Sequence, residues 1–308
     1  MALQYAFSTV ACPQWTLDKV AEQARAMGYD SVELRTLGEG STKLACDPAL
    51  STPDKVRSIF EKAGVKIACL STSSTLHQKT SGEGQRAYFE ILKHLETAAA
   101  IGAPFVRIFG LKIMPNENRQ SVIQRIAHRV PALAEKAGEL GVELLFENAG
   151  SFSAAKEWWW LLNLVNHPMA GLMWNVANAA SVDPHERGGG MAVTMLNSRI
   201  RMAKVKDTQL GKGVGFVQLG DGDVNIEQFL KKLRGIGFDG TVTVEWDRAW
   251  LPTLAPAEEA LPEALKRLKA WNQSIDDLMA EGRTEAEKTA TKRMPKSRSE
   301  LLAAATKA

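Results

Sequence analysis

The chain has 308 residues, 45% hydrophobic and 24% charged, with a formal net charge of +3 from 38 basic and 35 acidic side chains. Residues 281–308 hold seven Lys/Arg against four Glu, so the tail carries the whole excess and the rest balances. This is an ordinary globular composition; a neutral body argues against a nucleic-acid partner, which needs a basic face, and no apolar run reaches membrane-span length.

Cys12, Cys46 and Cys69 are odd in number and lack metal-ligand spacing. They read as reduced thiols of a cytoplasmic protein. The first residues lack the basic start and long apolar core of a signal peptide, which fits the same localisation.

Strand-like and helix-like segments alternate along the chain. Residues 3–9 (LQYAFST) form an apolar strand, 15–27 a helix closed by Gly28, and 30–35 (DSVELR) a second strand. A helix over 52–63 precedes strand 65–71, and a helix over 84–101 precedes strand 104–109 (PFVRIF). Residues 119–140 are helical, with Pro131 expected to kink or divide them. Then come strand 142–147, helix 154–165, strand 171–174, helix 187–198, strand 200–206, helix 226–236, strand 240–245 and helix 256–271. Gly at several helix ends suits a left-handed cap.

Eight strand–helix pairs in roughly 270 residues are the size of a (β/α)8 TIM barrel with a parallel sheet. An open doubly wound sheet is the alternative, but the turn after the first strand (STVACPQW) contains no glycine for a phosphate. The barrel is assigned to residues 1–273. The polar, Ala/Lys/Glu-rich remainder, 274–308, reads as a C-terminal extension: one amphipathic helix carrying Ile275, Leu278 and Met279, then a disordered tail.

The most informative stretch is 142–150, VELLFENAG. Period-2 alternation puts Glu143, Leu145 and Glu147 on one face and delivers Glu147 at the strand end. Residues 241–245 (TVTVE) repeat the form and end in Glu245. Two inward carboxylates at strand ends suit acid/base chemistry at the C-terminal mouth of a barrel. The same alternation nominates Glu33, Arg35, Arg107, Asn175, Lys204 and Lys206. Charges inside apolar strands are costly unless paired. Glu33, Arg35 and Arg107 fit salt bridges that fill the barrel as well as they fit a site. His77, after the third strand, is placed near the mouth as a hydrogen-bonding residue. Trp158, Trp159 and Trp160 cover most of a helical turn and cannot all face the core, which leaves one or two for a subunit or tail contact or for the mouth; a homo-oligomer is one outcome. Trp15, Trp246 and Trp250 follow strands one and eight, where they suit sugar stacking or simple packing.

Three motifs carry a resemblance: VELLFENAG, the strand-seven ending VKD, and the run 217–247, VQLGDGDVNIEQFLKKLRGIGFDGTVTVEWD. With them the chain resembles the sugar phosphate isomerase/epimerase family, with its xylose-isomerase-like barrel, over residues 3–271. The resemblance implies a small carbohydrate ligand (a monosaccharide, polyol or sugar phosphate) and, in most members, a divalent metal such as Mn²⁺ or Mg²⁺ held by two Glu, an Asp and a His. Glu147 and Glu245 match the two glutamates. The Asp position reads Asn175, a further His position Asn178, and the strand-seven His position Lys204; Ala149 stands where many relatives have His. Glu147 and Glu245 are therefore metal ligands only if a metal is bound, and the set points to metal-free operation. Glu147, Glu245 and Lys204 sum to −1, as does the metal-loaded family site.

The resemblance implies proton transfer through an enediolate, with Glu147 and Glu245 as acid and base and Lys204 supplying the electrophilic charge. Asn175, Asn178, Lys206, Arg107 and His77 are the expected substrate-binding residues. The alternative is a carbohydrate-binding barrel without catalysis. Cleavage of abasic-site DNA, known for some relatives, needs a histidine-rich metal cluster, which five scattered histidines do not supply.

Overall fold

The computed structural model describes residues 3–36, 52–109, 112–211 and 215–293, with side chains through residue 282. Cys46 and the tail beyond residue 293 lie outside the described residues. The chain divides into two compact units, Met1–Leu268 and Lys269–Ala308.

The first unit holds a closed parallel barrel. Its strands are β1 (Gln4–Ser8), β2 (Ser31–Arg35), β3 (Lys66–Ser71), β4 (Phe105–Phe109), β5 (Glu143–Glu147), β6 (Ala170–Asn175), β7 (Ile200–Val205) and β10 (Thr241–Val244), and β1 closes the ring by pairing with both β2 and β10. A two-stranded antiparallel ribbon, β8 (Asp207–Thr208) and β9 (Phe216–Val217), lies between β7 and β10 in the chain.

The outer helices are α1 (Leu17–Met27), α2 (Pro53–Ala63), α3 (Ser81–Ile101), α4 (Arg119–Glu139), α5 (Ala155–Val165), α6 (Val176–Ala180), α7 (Ala192–Leu196) and α8 (Ile226–Gly235). Side chains cap several starts. Thr16, Thr80, Asn118 and Asn225 each accept a backbone N–H from the first turn. Gly28 and Gly102 end α1 and α3 at φ 84° and 81°, where a Cβ would be strained.

Three expectations are corrected. Pro131 does not divide the helix: α4 runs from Arg119 to Glu139 as one element. Its buried stripe continues on both sides of the proline (Val122, Ile126, Val130, Leu133, Ala137), so packing outweighs a penalty of about 3 kcal/mol. The helix expected over 187–198 shrinks to the five residues of α7, because Gly189 and Gly190 take positive φ before it. The last helix does not stop near residue 271: α9 spans Ala257–Arg293 as one helix, with no glycine or proline between residues 263 and 281.

Of the tryptophan run, Trp158 enters the core and donates to the Phe152 carbonyl at 2.8 Å, Trp160 is half-buried, and Trp159 is 46% exposed.

Inside the barrel, Ala6, Leu145, Met173 and Met202 form one apolar layer with Ala68 and Cys69, and Phe105 packs against it. Two residues further along the same strands come Ser8, Glu147, Asn175, Lys204 and Arg107, all buried. The period-2 step thus lifts the polar set one layer above an apolar floor.

The loop from β7 to α8 is organised by Asp207 of the VKD motif. Its buried carboxylate accepts four backbone N–H groups: Thr208 at 2.9 Å, Val224 at 3.1 Å, Gly220 at 2.7 Å and Gly222 at 3.0 Å. A Cβ on Gly222 would collide with this carboxylate, which explains the second glycine of the stretch LGDGDV, residues 219–224. Asp207→Ala orphans all four donors and is expected to cost roughly 2–4 kcal/mol. Urea unfolding measures the loss; a midpoint equal to that of the unmodified protein would mean that solvent replaces the carboxylate.

Candidate functional site

Six of the eight residues nominated as catalytic or substrate-binding meet at the carboxyl ends of the strands. Lys204 is the hub. Its Nζ lies 2.9 Å from Glu33 Oε1, 3.1 Å from Glu147 Oε2 and 3.2 Å from Glu245 Oε1, donating to all three. An ammonium has three N–H groups, so Lys204 is saturated. Asn175, the last residue of β6, donates its Nδ2 to both glutamates, 3.0 Å to Glu147 Oε1 and 3.2 Å to Glu245 Oε2. Arg107 brings Nε to 3.0 Å from Glu147 Oε2 and Nη2 to 3.9 Å from Glu33 Oε1, while Nη1 donates to the Thr72 carbonyl at 2.6 Å. The Arg107 Nε contact is an ion pair by distance; its N–H is not aimed well enough at the oxygen to count as a hydrogen bond. Ser8 adds a hydroxyl to Glu33 at 3.3 Å.

A second tier lies nearer solvent. Lys206 Nζ stands 2.8 Å from Glu245 Oε2 and 3.1 Å from Asp247 Oδ2, and 4.9 Å from the Phe216 ring centre. Phe109 lies between two guanidiniums, with Arg107 4.1 Å and Arg35 5.5 Å from its ring centre; Arg35 also faces Trp250 at 5.9 Å. The Lys204 side chain is fully buried, whereas those of Lys206 and Glu245 keep 15% and 10% exposure. A molecule arriving from the mouth therefore meets Lys206, Glu245 and Asp247 before Lys204. Trp15 and Trp246 are buried and donate to Glu258 and the Ala255 carbonyl, so Trp250, 51% exposed, is the member of that trio left facing solvent.

The inner ring counts Glu33, Glu147 and Glu245 against Lys204 and Arg107, one negative charge in excess. Lys206, Arg35 and Asp247 return one positive charge. Burial pushes the Glu147 and Glu245 carboxyls up, but Lys204 together with Arg107 for Glu147, and with Lys206 for Glu245, holds both below the usual carboxylate range. Burial also works against the charged forms of Lys204 and Lys206, yet the facing carboxylates raise both above an ordinary lysine. Asp247 is pushed up to about 6 by burial and the Glu245 charge, against the pull of Lys206. Arg35 is lowered to about 9 by burial and by Arg107. The pair nominated from strand ends is thus held ionised.

Asn178 supports the ring from behind. Its N–H donates to Asn175 Oδ1 at 3.3 Å and its Nδ2 to the Asn148 carbonyl at 2.8 Å. Asn148 in turn accepts the Asn175 N–H at 2.6 Å. His77 lies in the loop after β3, and its carbonyl accepts from Arg125 of α4. Asp247 was not nominated; it follows the inward Glu245 by two residues, so alternation extended past the strand end could have found it.

A cavity of about 970 Å³ opens at the opposite, amino-terminal ends of the strands, lined by residues such as Ser31, Ile67, Phe105, Arg201 and Thr241. It contains none of the nominated residues, and volume alone is a weaker guide to chemistry than a convergent set of ionised groups.

A family model described as xylose isomerase-like TIM barrel matches residues 21–271. An inosose isomerase from Halalkalibacterium halodurans is 26% identical over 269 residues, covering 80% of this chain and 88% of that protein. An L-ribulose 3-epimerase structure superposes with a TM-score of 0.74 at 14% identity, over 96% of this chain and 100% of that one. The IOLI protein, solved with a binding zinc atom, gives 0.70 at 19% identity over 87% and 98%.

Proposed function

Because the chain belongs to the xylose isomerase-like TIM-barrel family, we propose that it is a sugar isomerase or epimerase, or a related lyase, acting on a monosaccharide, polyol or sugar phosphate. The observation that carries this reading is the pair Glu147 and Glu245, ionised and bridged by one Asn175 amide. An isomerase of inosose and an epimerase of L-ribulose among the similar proteins support a polyhydroxy carbonyl compound as substrate.

The chemistry follows from what each group has free. A carboxylate takes the proton from a carbon beside the substrate carbonyl. The electron pair left behind moves onto the carbonyl oxygen and forms an enediolate. Return of a proton at the neighbouring carbon isomerises the sugar; return to the opposite face of the same carbon epimerises it. Glu245, nearer the mouth, takes the proton and, in isomerisation, returns that same proton to the neighbouring carbon; in epimerisation Glu147 first takes up a proton from solvent, delivers it to the opposite face, and Glu245 releases its own to solvent afterwards. Lys206 spends two of its three N–H groups on Glu245 and Asp247 and turns the third to the enediolate oxygen. Lys204 supplies fixed positive charge behind the pair and holds its geometry. Asn175, Asn178 and Arg107 complete that support.

Inososes, D-allulose and L-ribulose incubated with the protein in D2O test the reading by proton NMR. Deuterium is expected at the carbon beside the carbonyl. A second reading is binding without turnover, favoured by the fact that all four oxygens of Glu147 and Glu245 already face a donor. Calorimetric binding of a sugar with no exchange would select it.

A further inference from the structure

We infer that the Lys204 ammonium is a built-in cation occupying the place where the inward carboxylates would otherwise gather a divalent metal, so that no metal binds between Glu33, Glu147 and Glu245. This goes beyond the proposed reaction and does not depend on it.

A protein of the same fold has been solved with a binding zinc atom. Zinc requires about four lone-pair donors, and Mn²⁺ or Mg²⁺ about six, mostly oxygens. At the point where the three carboxylates converge, this chain presents hydrogens instead. Lys204 Nζ is equidistant from Glu33, Glu147 and Glu245 to within 2.9–3.2 Å, one N–H for each. Asn175 turns its amide nitrogen, not its oxygen, to Glu147 and Glu245. The reverse orientation would set its oxygen against two carboxylates. Its Oδ1 is occupied by the Asn178 N–H. Arg107 covers the remaining flank of Glu147. Among the described residues no three His, Cys, Asp or Glu side chains form a metal-holding set. Lys204 and Asn175 fill the centre of the ring with N–H donors, and the ring is nearly neutralised without a metal, although Glu33 Oε2 is buried with no hydrogen-bond partner among the described residues.

Removing the ammonium should reverse this. Lys204→Ala leaves three buried carboxylates around a space vacated by a cation, a set of hard oxygen donors. Protein stripped with EDTA and titrated with Mn²⁺ by calorimetry tests both halves. The unmodified protein is expected to bind no Mn²⁺ in the ring and to melt at the same temperature with or without EDTA. Lys204→Ala is expected to bind one Mn²⁺ per chain, and at a hundredfold excess over Kd its Tm should rise by roughly 5 °C. If the variant is unfolded without metal, refolding from urea with Mn²⁺ is the same measurement, and recovery supports the inference. Stoichiometric metal between Glu33, Glu147 and Glu245 of the unmodified protein overturns it. So does a Lys204→Ala protein that neither binds Mn²⁺ nor is refolded by it.

Discussion

Lys204→Met is expected to lose roughly 3–5 kcal/mol of stability, the range for removing one partner of a buried ion pair. The side chain is fully buried and is shared by three carboxylates. Methionine keeps the length and apolar stem but leaves those carboxylates facing one another. On this scale Tm should fall by roughly 5–9 °C. The pH dependence should also change sign. In the unmodified protein the folded-state pKa values of Glu147 and Glu245 are depressed. Their contribution is therefore complete above the unfolded value of about 4.3 and is lost as pH falls through the folded values. Lys204 is raised. Its contribution is complete below the unfolded value of about 10.4 and is lost as pH rises through the folded one. The contribution of these three groups should thus be flat between these limits and fall on either side. Without Lys204, burial dominates the carboxylates and raises them, so the variant should gain stability as pH is lowered from about 7 towards about 4. Adding Glu33→Gln should recover part of the loss in a double-mutant cycle. A Lys204→Met protein within about 1 kcal/mol of the original would show that the ring is not held by its ammonium.

Turnover should respond most strongly to Glu245→Gln. If Glu245 is the proton acceptor, the amide removes the basic site while keeping size and hydrogen bonding, and kcat should fall about 10²–10⁴-fold. Glu147→Gln should fall within the same range, because proton return needs the second group. KM should change less in both cases, since Lys206 and Asp247 remain at the mouth. The rates are to be compared on protein shown folded by circular dichroism, because each change also takes a charge from the Lys204 ring. Sugar exchange that survives both substitutions within about threefold would move proton transfer away from this pair.

The three stretches at which sequence and structure part company, Pro131, 187–198 and the end of the last helix, have a common cause: local rules read each one. At Pro131 a buried stripe extending beyond the local window outweighed the rule, and at Gly189 and Gly190 positive φ was not anticipated.

The sequence by itself determined the barrel and the inward faces of its strands, because alternation with period 2 and helix stripes with period 3.6 are local properties. It also determined that Glu147, Asn175, Lys204 and Glu245 end up on inward faces near strand ends. Only the tertiary structure decided which charges meet. Glu33 joins Lys204 across 171 residues of chain, and Lys204 takes three carboxylates, not two. Asp207, adjacent to Lys206, leaves the ring to cap a loop, whereas Asp247 stays with Lys206. Alternation says that a side chain points inward, but the partner it reaches depends on how the closed sheet staggers non-neighbouring strands, and no local periodicity records that stagger.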